Sequence, residues 1–143
     1  MSISNSKSAL DSPANENPSA GFHVLVVDDD PEILESIRYS VQEHGYRVSV
    51  AGDGNEAIAI VETEFPDLIV LDMMMPKRSG FLVMERLCQT IEDPIPVIMI
   101  TANEGNRHRE YAKMLGVTDY ISKPFVMERL LESIDRILKT DEE

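Results

Sequence analysis

From residue 21 onward the chain alternates between short apolar runs and longer stretches in which apolar side chains recur every three to four positions. The first pattern is that of a buried strand and the second that of an amphipathic helix, so their alternation predicts βα units around a parallel sheet. Five units can be counted. The first strand spans His23 to Val27 and stops at Asp28-Asp29-Asp30-Pro31, where Asp30 suits a helix N-cap and Pro31 the first helical position. Ile33, Leu34, Ile37 and Val41 then share one helical face until Gly45 ends the helix. Tyr46 to Ala51 alternates like a half-exposed strand, and Asp53 with Glu56 stands at capping-box spacing before Ala57, Ile58 and Val61. Leu68 to Leu71 is the third strand, closed by Asp72; Met73 to Gly80 reads as loop, and a third helix is predicted from near Gly80. Pro96 to Ile100 gives the fourth strand, ended by Thr101, and Asn106 to Leu115 a polar, weakly amphipathic fourth helix closed by Gly116. Asp119 to Ser122 is a short fifth strand. Lys123-Pro124-Phe125 then leads into a fifth helix with Leu130, Leu131, Ile134, Ile137 and Leu138 on one side.

The ends depart from this pattern. Residues 1–20 are rich in Ser, Asn, Pro and Ala and cannot bury enough apolar surface to offset their ordering entropy, so a disordered arm is expected there. One folded domain is expected over 21–139, followed by a short acidic tail at 140–143. With 26 acidic against 13 basic residues the net charge is −13, which argues against direct contact with nucleic acid and suits proteins and metal cations. The single cysteine, Cys88, falls in a helical apolar pattern and reads as a small core residue, consistent with a reducing compartment. No apolar run approaches the ~20 residues that span a bilayer and no secretory layout opens the chain, so a cytoplasmic protein without membrane contact is expected.

In an open parallel sheet, ligands bind beyond the carboxyl ends of the strands, near the point where strand order reverses. The residues placed there are Asp28 and Asp29, Asp72, Thr101 and Lys123. Carboxylates brought together repel one another unless a cation is bound, which makes such a group costly as mere structure. Mg²⁺, a hard ion that prefers oxygen ligands, would remove that cost. Asp72, alone on its strand end, is a candidate nucleophile for an aspartyl phosphate. A transferred phosphoryl group needs cationic and hydroxyl partners, which Lys123 and Thr101 can supply. Each residue taken singly also reads as a cap or a solvated side chain. It is the five in this order that carry the inference.

On these residues the sequence resembles the response-regulator receiver family from Phe22 to about Leu138. The matching runs are Val24-Leu25-Val26-Val27-Asp28-Asp29-Asp30, Ile69-Val70-Leu71-Asp72-Met73-Met74-Met75-Pro76 with Gly80 following, Ile100-Thr101-Ala102, and Tyr120-Ile121-Ser122-Lys123-Pro124-Phe125. The resemblance implies an α/β flavodoxin-like fold, a doubly wound five-stranded parallel sheet of order 2-1-3-4-5. It implies that Asp72 accepts a phosphoryl group from a histidine kinase or histidine phosphotransfer protein. Asp28, Asp29, Asp72 and the backbone carbonyl of Met74 would hold Mg²⁺, Thr101 would hydrogen-bond the phosphoryl oxygen, and Lys123 would pair with it. Ala102 would leave room for the group, and Lys123-Pro124 matches the family's cis-proline site. Thr101 and Tyr120 would form a coupled switch, read by a downstream protein or by a second copy through the face of the fourth helix, fifth strand and fifth helix. Such a domain is a signalling acceptor and not an enzyme beyond Mg²⁺-dependent self-phosphorylation and slow autodephosphorylation. Val126 departs from the polar capping residue frequent in the family, and Met74 and Asn103 occupy its two variable positions beside the site.

The main rival is an aspartate-dependent phosphatase of the haloacid-dehalogenase type, since Asp28-Asp29-Asp30 contains an Asp-x-Asp after the first strand. That family needs a late acidic pair after the lysine, which Lys123 lacks near a strand end. A flavin-binding module fails because the loop after the first strand presents three carboxylates where a phosphate would sit. Met73, Met74 and Met75 read as loop packing, since thioethers suit soft ions and their neighbours are hard oxygens. His23, His44 and His108 lack ligand spacing.

Overall fold

Strands covered on both faces are largely apolar, and His23–Val27 (β1), Leu68–Asp72 (β3) and Val97–Thr101 (β4) are buried at every residue, with polar side chains only at their ends, His23, Asp72 and Thr101. The computed structural model describes residues 21–72, 95–101, 106–114 and 116–139. The other described elements are α1 (Pro31–Glu43), β2 (Arg47–Ala51), α2 (Gly54–Glu64), α3 (Asn106–Met114), β5 (Asp119–Ser122) and α4 (Met127–Lys139). α3 and α4 are the fourth and fifth helices of the sequence reading. The N-terminal arm, the loop from Met73 with Met74, the third helix with Cys88, Ala102, Asn103, Leu115 and the acidic tail lie outside the described residues.

All strand pairs are parallel, in the order β2-β1-β3-β4-β5, so the chain reverses direction across the sheet between β1 and β3. This is the doubly wound arrangement implied by the resemblance. Because side chains alternate across a strand, the sheet feeds two cores. Leu25, Val27, Ile69, Leu71, Val97 and Met99 meet Ala57, Ile58 and Val61 of α2 and Ala112 of α3 on one face. Val24, Val26, Leu68, Val70, Ile98 and Ile100 meet Ile37 and Val41 of α1 and Leu130, Ile134 and Leu138 of α4 on the other.

Local chemistry sets the element ends. Asp30 caps α1 by accepting from the N–H groups of Glu32 and Ile33, with Pro31 opening the helix. Gly45 takes a φ of 109°, which its missing Cβ permits. Asp53 caps α2 by accepting from the Glu56 N–H, as the spacing predicts, but the Glu56 carboxylate reaches past the cap to the N–H of Gly52, 2.6 Å away. Tyr46 falls outside β2: its ring is buried and its hydroxyl donates to Asp135 of α4 at 2.5 Å. Asp72 and Thr101 are the last residues of their strands, and Pro96 precedes β4.

Candidate functional site

The carboxyl ends of the neighbouring strands β1 and β3 bring the acidic residues together. Asp28 follows β1, and its backbone N–H still bonds the Ala51 carbonyl of β2 at 3.1 Å, so the sheet fixes its position. Its side chain is only 3% exposed and accepts from the N–H of Asp30 at 2.9 Å. Asp72 ends β3 between β1 and β4 and is 4% exposed, whereas Asp29 faces solvent. Each of the three offers a carboxylate oxygen within 4.8 Å of the others. On the other side, the Lys123 ammonium lies 3.7 Å from Asp72 Oδ2. The Lys123 N–H donates to the Thr101 carbonyl at 2.7 Å, and the Lys123–Pro124 peptide is cis. Thr101 is fully buried at the end of β4, on the strand beside Asp72.

The electrostatics follow from this packing. Burial pushes the Asp28 carboxyl up to about 6; the Asp30 N–H opposes that shift, the Asp72 charge adds to it, and Lys123 opposes it. Among the described residues, three carboxylates against one ammonium leave two negative charges, and the donors are all hard oxygens. One divalent hard cation matches both the charge and the donor type. The residues present therefore fit Mg²⁺.

Of the two residues expected to form a switch, Tyr120 is half-buried on β5, with the Arg109 guanidinium of α3 5.0 Å from its ring centroid. The sequence reading did not single out Arg109, whose only signal is its place on a polar helix. Nor did it find Asp119, whose carboxylate takes the Ser133 hydroxyl at 2.5 Å and the guanidinium groups of Arg129 and Arg136. The signal was present, because Arg129, Ser133 and Arg136 recur at helical spacing along one side of α4. His23 and His44 stay out of the site: His23 Nε2 lies 2.7 Å from Ser49 Oγ, among residues near the opposite ends of the strands, and His44 Nε2 lies 2.9 Å from Asp135.

Comparison with known proteins adds three findings. The family model described as the response regulator receiver domain matches residues 24–135. Among curated proteins, response regulator MprA of Mycobacterium leprae is 40% identical over 118 residues, covering 82% of this chain and 51% of the relative. The Mycolicibacterium vanbaalenii MprA is 39% identical over 116 residues, with 81% and 50% covered. The chain thus spans about half the length of these relatives. Among solved structures, the receiver domain of the Francisella response regulator 1452 superposes with a TM-score of 0.80 at 31% identity, covering 85% of this chain and 99% of that one. The Vibrio cholerae chemotaxis protein CheY4 gives 0.78 at 32% identity, with 83% and 100% covered.

Proposed function

The chain belongs to the response regulator receiver family, and from that premise we propose that Asp72 accepts a phosphoryl group from a phosphorylated histidine of a kinase or phosphotransfer protein. Receivers of this family are signalling domains of two-component systems and not classical enzymes. The observation that carries the reading is the setting of Asp72: a buried carboxylate at the end of a central strand, with Asp28 and Asp29 on one side and the Lys123 ammonium on the other.

In the transfer, an Asp72 oxygen attacks phosphorus as the bond to the donor nitrogen breaks, and the imidazole leaves with that electron pair. An ionised carboxylate needs no base for this. Chain groups then have to hold the charge of the phosphoryl oxygens. Lys123 is within a small side-chain movement of that position, and the Thr101 hydroxyl is assigned the remaining oxygen. Asp28, Asp29, Asp72 and the Met74 carbonyl are assigned to Mg²⁺, which supplies electrostatic neutralisation when bound. The receiver is assigned to residues 21–139, with 1–20 an arm and 140–143 a tail. Thr101 and Tyr120 are assigned as the switch, with the signal leaving through the α3-β5-α4 face by protein contact.

Transfer from a histidine-phosphorylated domain tests this reading. The chain takes up at most one label per molecule and does not hydrolyse an added phosphomonoester. Continuous release of phosphate from the ester would instead favour the phosphatase alternative.

A further inference from the structure

A titratable cluster lies at the opposite end of the sheet from Asp72, where β1 begins and α2 ends. His23 shares the parity of Leu25 and Val27, so its ring faces α2, and the residue is only 5% exposed. Its backbone is pinned to the turn after α2: the His23 N–H donates to Asp67 Oδ2 and the Asp67 N–H to the His23 carbonyl, both at 2.8 Å. The ring Nε2 lies 2.7 Å from Ser49 Oγ of β2, which donates at 2.6 Å to Oε1 of Glu64, the last residue of α2. Ser49 has one hydroxyl proton and a carboxylate can only accept, so that proton points to Glu64 and Nε2 supplies the N–H that Ser49 accepts. Nδ1 of the neutral ring then carries no proton. Two bonds in series thus join β1, β2 and the end of α2. The turn that follows leans on them. Phe65, next to Glu64, takes a left-handed φ of 51° and is 74% exposed, so a residue with a Cβ sits in a conformation that favours glycine and gains little packing in return. Glu64 and Asp67 on either side of it supply bonds to the sheet.

We propose that His23, Ser49 and Glu64 form an acid-sensitive latch that fastens the last turn of α2 to the sheet and releases it when the imidazole takes a second proton. That proton comes from solvent and goes to Nδ1, so a cation appears between sheet and helix. The charged groups around the ring are Arg47 of β2, which repels such a cation, and Glu64 and Asp67, which attract it. Burial, aided by Arg47, outweighs the two carboxylates and holds the imidazole below its ordinary 6.5. The latched state therefore binds the proton less tightly than the opened one, so the latch is at full strength above 6.5 and weakens as pH falls below it. Asp28, at the far end of β1, titrates with the opposite sign and does not produce this loss.

Amide exchange of the full chain at about pH 7.5 and about pH 5.5, corrected for intrinsic rates, tests the latch together with an NMR titration of the His23 ring. In the parent, opening at the Phe65 and Asp67 amides rises several-fold at the lower pH. In His23→Gln, which keeps a donor for Ser49 but takes no proton, that rise is absent. Glu64→Gln keeps an acceptor for Ser49 while removing a charge that favours the imidazolium, so the His23 midpoint moves further down, a shift that a merely structural contact would not give. A His23 midpoint at or above 6.5 overturns the proposal. So does acid opening that is absent from the parent or equal in His23→Gln. The ring titration needs no substitution at His23 and decides the matter even where that variant folds poorly.

Discussion

Asp28 shows what it costs to gather carboxylates at a buried strand end. Folding lifts its carboxyl from 3.8 to about 6, chiefly through burial. The folded state therefore binds the proton more tightly than the unfolded chain, so this stability is present below the ordinary value and lost as pH rises through about 6. The loss is on the order of 2–3 kcal/mol. Asp28→Asn removes the charge yet keeps an oxygen for the Asp30 N–H, so at about pH 7.5 the metal-free variant should melt several degrees above the parent; an equal or lower melting temperature contradicts the account. Mg²⁺ should raise the parent's melting temperature at about pH 7.5 and do so less at about pH 5.5, where protons compete for Asp28. Asp29→Ala should remove most of that response, and an unchanged response would place the metal elsewhere. These three aspartates were legible in the sequence because each follows an apolar run. The shift on Asp28 was not, since it depends on burial by neighbours that no local pattern encodes.

The elements divide by how locally they are determined. β1, β3 and β4 were readable because strands buried on both faces carry near-continuous apolar runs, and α1 because Asp30, Pro31 and Gly45 mark both ends. The Glu56 carboxylate's choice of Gly52 and the anchoring of α4 were not. Asp135 of α4 gathers the Tyr46 hydroxyl and His44, contacts that join distant parts of the chain, and Lys139 one turn further along its own helix. Burial pushes the Asp135 carboxyl up, but the bonds from Tyr46 and His44 and the charges of His44 and Lys139 outweigh it and hold the group below its usual range. Tyr46→Phe removes one of those bonds and should cost about 1 kcal/mol in urea unfolding, with no measurable loss counting against it. The proposed switch of Thr101 and Tyr120 also belongs to this scale. A phosphoryl mimic on Asp72 should change amide protection in α3 and β5, because Thr101 ends the strand paired with β5 and Tyr120 lies on it. Changes confined to α1 and the surroundings of Asp72 would mean that the output face is wrong.

At the scale of the molecule, the sheet order does the positioning. Placing β1 and β3 side by side sets Asp28, Asp29 and Asp72 at the carboxyl end of the sheet, and β4 and β5 add Thr101 and Lys123 beside them. A sequence reading reached this because the alternation of apolar runs dictates a parallel sheet and the family resemblance supplies the strand order. It did not reach the anchoring of Asp119 by α4, since the Ser133 hydroxyl meets that carboxylate only once the two elements have packed. Among the described residues no helix is long and apolar enough to cross a membrane. The central claim is that Asp72 is the phosphoacceptor, and intact-mass measurement with peptide mapping tests it most directly. Incubated with Mg²⁺ and a small acyl phosphate, the chain should gain one phosphoryl mass that maps to Asp72 and is absent from Asp72→Asn. Equal modification of that variant, or a label on Asp28 or Asp29, would contradict it.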